Sequence, residues 1–304
     1  MSKLLILTND SIEYLDLLQK ANLPDLEIFT KFNPECDIVF GNTKEIKDAL
    51  PNLPHLKWVQ TTSAGVERLM DSSLRRDYTL TNARDVFGAS MSEFVFGYLL
   101  FFKKRIRPRV LAQRAKQWDD FDDGILRGKT IGLLGVGSIG AHLAMTAKYF
   151  GMKVSGFTQS SESCKEVDQY YHNPDILKFV DGLDYLVSVL PRTEGTNEIV
   201  NAELFNALPT RAIFINVGRG NAVDNSALVD ALNQNKIAAA VLDVTSPEPL
   251  PEDHPFWTTE NLFLTFHTSA MSYPEDMVKL FVENYYLYIE GKPLKHQVDF
   301  ERGY

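Results

Sequence analysis

Short apolar, β-branched runs recur over the first part of the chain, at residues 4–8, 26–30, 37–41, 56–61 and 78–81, with polar or helix-patterned stretches between them. These connections are too long for hairpins, so the runs are expected to lie parallel in one sheet covered by helices. A second series follows at residues 130–134, 153–158, 185–190, 212–217, 238–244 and 262–266, and its six strands suffice for one doubly wound sheet. Between the two series, residues 90–117 are apolar-rich and broken by Pro108, which predicts a connecting helix leading into a second one. Residues 274–290 have the length and apolar spacing of a closing helix. The pattern predicts two α/β domains, each a doubly wound parallel sheet, with no fixed-period repeat.

Composition narrows what such domains do. A length of 304 residues with 44% apolar and 23% charged positions allows about two packed cores. The formal net charge of -9 argues against a nucleic-acid or anionic-membrane surface. The basic run KKRIRPR at residues 103–109 is read as a solvated helix face. The start, MSKLLILTND, has too short an apolar stretch for a signal-peptide core, and residues 94–102, the longest apolar run, fall well short of the ~20 that span a bilayer. Cys36 and Cys164 show no metal or redox spacing, so no metal is expected and a cytoplasmic setting fits.

The segment TIGLLGVGSIGAHLAMTAKYFG sets Gly135, Gly137 and Gly140 as G-x-G-x-x-G between a strand and a helix. In that context the first glycine permits a tight turn, the second lets a pyrophosphate approach the backbone, and the third lets helix and strand pack closely. N–H groups at the helix start then bind the anion. An acidic residue is expected at the end of the next strand if the ribose 2'-hydroxyl of NAD is read. Thr158 stands there instead, followed by the possible donors Gln159, Ser160 and Ser161, with no arginine among them.

Three further strand ends carry reactive side chains. FINVGRGNAVD puts Arg219 between Gly218 and Gly220, LDVTSPEPL puts Glu248 between two prolines, and LFLTFHTSA ends a strand near His267. Strand ends of one open sheet converge on one crevice, beside the dinucleotide loop. A histidine paired with a glutamate gives or takes a proton near neutral pH, and a guanidinium binds a 2-oxo acid at carboxylate and carbonyl together. The glycines beside Arg219 give the backbone freedom to bring the residue between them close to another group.

In WVQTTSAGVERL, SEFVFGYLL, GVGSIG, VLPRTEGT, NVGRG, LDVTSPEPL and TFHTSA the sequence resembles the D-isomer-specific 2-hydroxyacid dehydrogenase family over nearly the whole chain. TSAGVE is most similar to the glyoxylate/hydroxypyruvate reductase branch. The resemblance implies a flavodoxin-like substrate domain at residues 1–96 and 273–304 and a Rossmann dinucleotide-binding domain at residues 97–272. It implies that Arg219 binds and polarises the substrate while the glycines beside it let the backbone lie against cofactor and substrate, that His267 is the acid/base, and that Glu248 orients His267. The N–H groups of Ala64, Gly65 and Val66 would hold the substrate carboxylate. Gly135, Gly137, Ser138, Ile139, Gly140, Thr158, Gln159, Ser160, Leu190, Pro191, Thr196, Val217 and Gly218 would line the cofactor site, and Asp243 would contact the nicotinamide carboxamide.

The expected activity is hydride transfer between NAD(P)H and a small 2-oxo acid, giving the D-2-hydroxy acid, with NADP(H) favoured over NAD(H) and a homodimeric assembly. Two departures stand out: Phe266 where the family usually has proline before the histidine, and Arg192 in LPRT where an uncharged residue is commoner. The same fold also serves nucleotide-sensing corepressors that act by binding partners, so fold alone does not separate the two. Formate dehydrogenase relatives are expected to carry glutamine where Glu248 stands.

Overall fold

A computed structural model of the protein describes residues 1–118, 120, 122–301 and 303. It divides into two compact units, Met1–Val86 with Ser272–Tyr304, and Phe87–Met271. In the first, among the described residues, five parallel strands run β1 (Ser2–Leu7), β2 (Leu26–Phe29), β3 (Ile38–Gly41), β4 (Trp58–Thr61) and β5 (Thr79–Thr81). Their order is β2-β1-β3-β4-β5, the flavodoxin-like winding. Helices α1 (Ser11–Ala21) and α2 (Thr43–Ala49) connect them, and a closing helix, Pro274–Ile289, lays Phe281 between Phe40 and Trp58 with ring centroids 4.8 and 4.9 Å apart.

Beneath the carboxyl ends of β4 and β5 lies a buried polar chain. The Trp58 indole donates to the Thr81 hydroxyl (2.8 Å), which donates to Gln60 Oε1 (2.7 Å), and the Asn284 amide donates to the same oxygen (3.1 Å). Buried polar groups need such partners, so the chain fixes where β4 ends and the following loop begins.

The second unit opens with α3 (Gly88–Lys103) and α4 (Ile106–Arg114), followed by β6 (Thr130–Leu134), α5 (Ser138–Tyr149), β7 (Lys153–Phe157) and β8 (Gln169–Tyr171). Then come α6 (Ile176–Val180), β9 (Tyr185–Ser188), α7 (Ala202–Ala207), β10 (Ile213–Asn216), α8 (Asn225–Asn233), β11 (Ala239–Leu242) and β12 (Leu262–Leu264). The order is β12-β11-β10-β9-β6-β7-β8, all parallel. This is the Rossmann winding with one strand added beyond its usual edge.

Three expectations shift. The sheet has seven strands among the described residues rather than six, since the short edge strand β8 carries no apolar run. The break between the two connecting helices falls at Lys104 and Arg105, the latter in the left-handed region at φ 50°, and Pro108 sits inside the first turn of α4, where it costs no hydrogen bond. Finally, the expected break after residue 96 lies inside α3, whereas the packing divides at Val86. The reason is that Val95, Phe96 and Leu99 share one core with Leu143, Ala144 and Ala147 of α5.

Candidate active site

The glycine loop turns from β6 into α5. Gly135 has φ +95°, a conformation that residues with a Cβ seldom reach, and a Cβ on Gly140 would stand 2.4 Å from the Gly135 carbonyl oxygen. A Cβ on Gly137, by contrast, would meet nothing within 4 Å. The protein therefore leaves open space at the helix N-terminus, where the first-turn N–H groups of Ser138, Ile139 and Gly140 have no intrahelical acceptor. That opening, bounded by backbone donors and a helix dipole, fits a pyrophosphate.

Arg219 follows β10 in extended conformation, its Nη1 donating to the Gly218 carbonyl (2.8 Å). Its flanking glycines are explained by protein backbone rather than by ligand. A Cβ on Gly218 would lie 2.6 Å from the Leu190 nitrogen, and one on Gly220 2.0 Å from the Thr245 carbonyl carbon. Asn216 ties the turn from within, accepting from the Gly218 N–H (3.2 Å) and donating to the Arg219 carbonyl (3.0 Å). The loops after β9, β10 and β11 are thereby packed backbone to backbone.

On the neighbouring loop, Glu248 Oε1 accepts the Thr245 N–H (2.9 Å) and Oε2 accepts from His267 Nδ1 (3.0 Å). A carboxylate only accepts, so Nδ1 carries the proton and Nε2 is left to face a reactant. The Glu248 hydrogen bond is the main cause that raises the His267 pKa above its ordinary value; burial opposes it, the charges of Glu248 and Asp243 add to it, and that of Arg219 opposes. For Glu248, burial alone would raise the pKa, but the His267 and Thr245 hydrogen bonds and the charges of His267 and Arg219 together bring it below the usual carboxylate value. Arg219, Glu248 and His267 thus act on one another electrostatically.

Asp243 is 2% exposed and anchors the turn carrying His267. Phe266 and His267 within that turn have φ +59° and +58°. Beside the pair is a cavity of about 360 Å³, walled by Leu242, Leu250, Trp257, Leu264 and Phe266, with the Phe266 and Trp257 rings stacked at 5.8 Å. Phe266 therefore contributes an apolar wall next to the histidine, and the hydroxyl-rich T-F-H-T-S run was the one sequence signal for the anchoring.

The remaining expected residues lie elsewhere. Thr158, at the end of β7, uses its hydroxyl to hold the Ser161 carbonyl (2.7 Å), while Gln159 and Ser160 are exposed. His172, which sequence reading passed over, bonds the Thr158 carbonyl through Nδ1 (2.9 Å) and Glu162 through Nε2 (2.8 Å). After β9, Leu190 is buried and Thr196 donates to the Pro191 carbonyl (2.7 Å), while Val217 is buried at the end of β10. In the other unit, the carbonyls of Ala64, Gly65 and Val66 accept from Asn82 (2.8 Å), the Ser63 hydroxyl (2.9 Å) and the Leu69 N–H (2.8 Å).

The family model described as D-isomer specific 2-hydroxyacid dehydrogenase, NAD binding domain, matches residues 96–269. The chain belongs to this family and is an NAD(P)-dependent oxidoreductase. It is 30% identical over 265 residues to glyoxylate/hydroxypyruvate reductase A of Yersinia enterocolitica, covering 85% of each chain. A D-isomer specific 2-hydroxyacid dehydrogenase family protein from Aeromonas salmonicida superposes with a TM-score of 0.93 at 40% identity, over 98% of this chain and 99% of that one. The NADPH-dependent glyoxylate/hydroxypyruvate reductase of Sinorhizobium meliloti, solved with NADP and sulfate, does so with a TM-score of 0.89 at 26% identity over 100% of both chains.

Proposed function

We propose that the protein reduces a small 2-oxo acid to the D-2-hydroxy acid and uses NADPH in preference to NADH. The observation that carries this reading is the His267–Glu248 pair, 3.0 Å apart, at the end of the same sheet that opens with the glycine loop. Bound nicotinamide supplies the hydride. His267 holds a proton at Nε2 for the carbonyl oxygen, with Glu248 favouring the charged ring. Arg219 binds the substrate carboxylate and polarises the carbonyl. The cofactor reading draws on Thr158 in place of an acid, and on the NADP and NADPH bound to similar proteins from Sinorhizobium meliloti and Xanthobacter autotrophicus.

Loss of NAD(P)H absorbance with glyoxylate, hydroxypyruvate, phenylpyruvate and branched 2-oxo acids, each with both cofactors, tests the proposal. Turnover of at least one acid, faster with NADPH, is the expected result; no turnover of any overturns it. A homodimer in the cytoplasm completes the reading. Helix α4 buries none of its described residues and exposes Ile106, Val110 and Leu111, and a solution mass from light scattering checks it. Among the described residues no helix is long and apolar enough to cross a membrane.

A further inference from the structure

The family resemblance gives Asp243 to the nicotinamide, yet the structure commits most of its acceptor capacity to the turn that carries His267. Oδ1 accepts the Thr265 hydroxyl (2.7 Å) and the N–H groups of Thr268 (2.9 Å) and Ser269 (3.1 Å), and Oδ2 accepts the Ser269 hydroxyl (2.5 Å). The Asp243 carbonyl oxygen takes the His267 N–H at 2.6 Å. A carboxylate offers about four lone-pair sites, so Oδ2 has at most one left for any ligand.

What these bonds enclose is an unfavourable backbone. Phe266 and His267 stand consecutively in the left-handed region, which histidine visits more often than most residues but a bulky phenylalanine seldom does. Such a conformation persists only where the surroundings over-determine it. Proline, with φ locked near -65°, cannot occupy position 266 in this turn, so the usual family residue and this conformation exclude one another.

We infer that Asp243 is a positioning residue: it clamps residues 265–269 in a conformation the sequence does not favour unaided, and so aims the His267 ring at its reactant and at Glu248. The inference rests on the reading of His267 as the proton donor. The charged groups acting on His267 in its unit are Glu248 and Asp243, which favour imidazolium, and Arg219, which opposes it.

The test removes the partners of Asp243 rather than Asp243 itself. The double variant Thr265→Val with Ser269→Ala should lower kcat at saturating NADPH by roughly 30-fold or more, with NADPH Kd within about twofold of wild type. Adding Phe266→Gly, which adopts positive φ without penalty, should recover at least about fivefold of that loss. Phe266→Pro alone should reduce kcat as the double variant does. The clamp is refuted by a kcat within about threefold of wild type, by a loss confined to NADPH Kd, or by no recovery with glycine. Should the double variant not fold, Ser269→Ala singly is read by the same criteria. Should the wild type reduce no 2-oxo acid, the functional reading fails separately. The clamp is then judged by NMR titration of His267 in the free protein, where the double variant must lower its pKa and an unchanged titration refutes it.

Discussion

Two strand-end regions of the seven-stranded sheet are built to different standards. At the ends of β10, β11 and β12, turns press backbone against backbone, an almost fully buried aspartate closes the His267 turn, and Arg219, Asp243, Glu248 and His267 each have a hydrogen-bond partner. At the end of β7, residues 159–163 are exposed and held by hydroxyl contacts and one His172–Glu162 pair. Proton and hydride transfer lose rate with small misplacements of the reacting groups, so that region must be rigid. Discriminating a 2'-phosphate from a hydroxyl makes no such demand on geometry, and an exposed loop of hydrogen-bonding side chains tolerates the looser build.

The contrast breaks first at its backbone. Gly220→Ala drives a Cβ into the Thr245 carbonyl group, and the cost should exceed about 3 kcal/mol, visible as a large drop in denaturation midpoint. Gly137→Ala has open space, so its stability should change by less than about 1 kcal/mol while cofactor affinity falls. A stable Gly220→Ala protein would mean that the strand-end loops are not packed as described.

Next in size is Arg219→Ala, expected to cut kcat/KM by more than about 10²-fold, roughly 2.7 kcal/mol of lost transition-state binding, with cofactor affinity nearly unchanged. The turn itself should survive, because Asn216 and the two glycines hold it through backbone. Activity within threefold of wild type would return Arg219 to the status of a turn residue.

Glu248→Gln sharpens the comparison through pH. The His267 pKa is raised chiefly by the Glu248 hydrogen bond, so the protonated ring needed for reduction persists below that raised value and is lost as pH rises through it. Removing the carboxylate charge lowers the pKa, and the alkaline limb of the reduction profile should move to lower pH. A limb that stays in place in a folded, cofactor-binding variant would uncouple the two groups.

Much of this was legible in the sequence because buried parallel strands read as apolar runs and the glycine loop has a fixed spacing. Arg219, Glu248 and His267 were found as strand-end residues. What escaped had no local signature. β8 is three residues, Gln169–Tyr171, whose side chains are exposed or half-buried, so no apolar run marks it. In the left-handed pair Phe266–His267 the phenylalanine does not announce positive φ, since tertiary bonds to Asp243 impose it. His172 meets Thr158 only because β7 and β8 pair, which places residues 14 apart in sequence side by side. The glycines around Arg219 were assigned to ligand approach, whereas the nearest obstacles are Leu190 and Thr245.

Cofactor choice carries the smallest effect. NADPH should be preferred by about tenfold in kcat/KM, about 1.4 kcal/mol. No carboxylate terminates β7, and Glu162, the acid in the loop, is occupied by His172, so a 2'-phosphate meets the exposed donors Gln159 and Ser160 first. Lys165 lies 3.8 Å from Glu166, which offsets its charge, whereas Arg192 is exposed and makes no ion pair among the described residues. β9 and β7 flank β6, so their ends are about 10 Å apart, a gap an arginine and a phosphate can close together. Arg192→Ala should therefore bring the NADPH-to-NADH ratio near unity, and Thr158→Asp should invert it. The His172 pKa is raised, first by its bond to Glu162 and then by the Thr158 carbonyl; as pH climbs through it, the ring loses its charge and Glu162 is left uncompensated. The NADPH preference should then decline with rising pH, and Glu162→Gln should abolish that decline while increasing the preference by about two- to threefold. Paired initial rates with both cofactors at one 2-oxo acid, taken across pH, decide it: a ratio at or below unity for the wild type removes the preference, and a flat ratio removes His172 and Glu162 from its control.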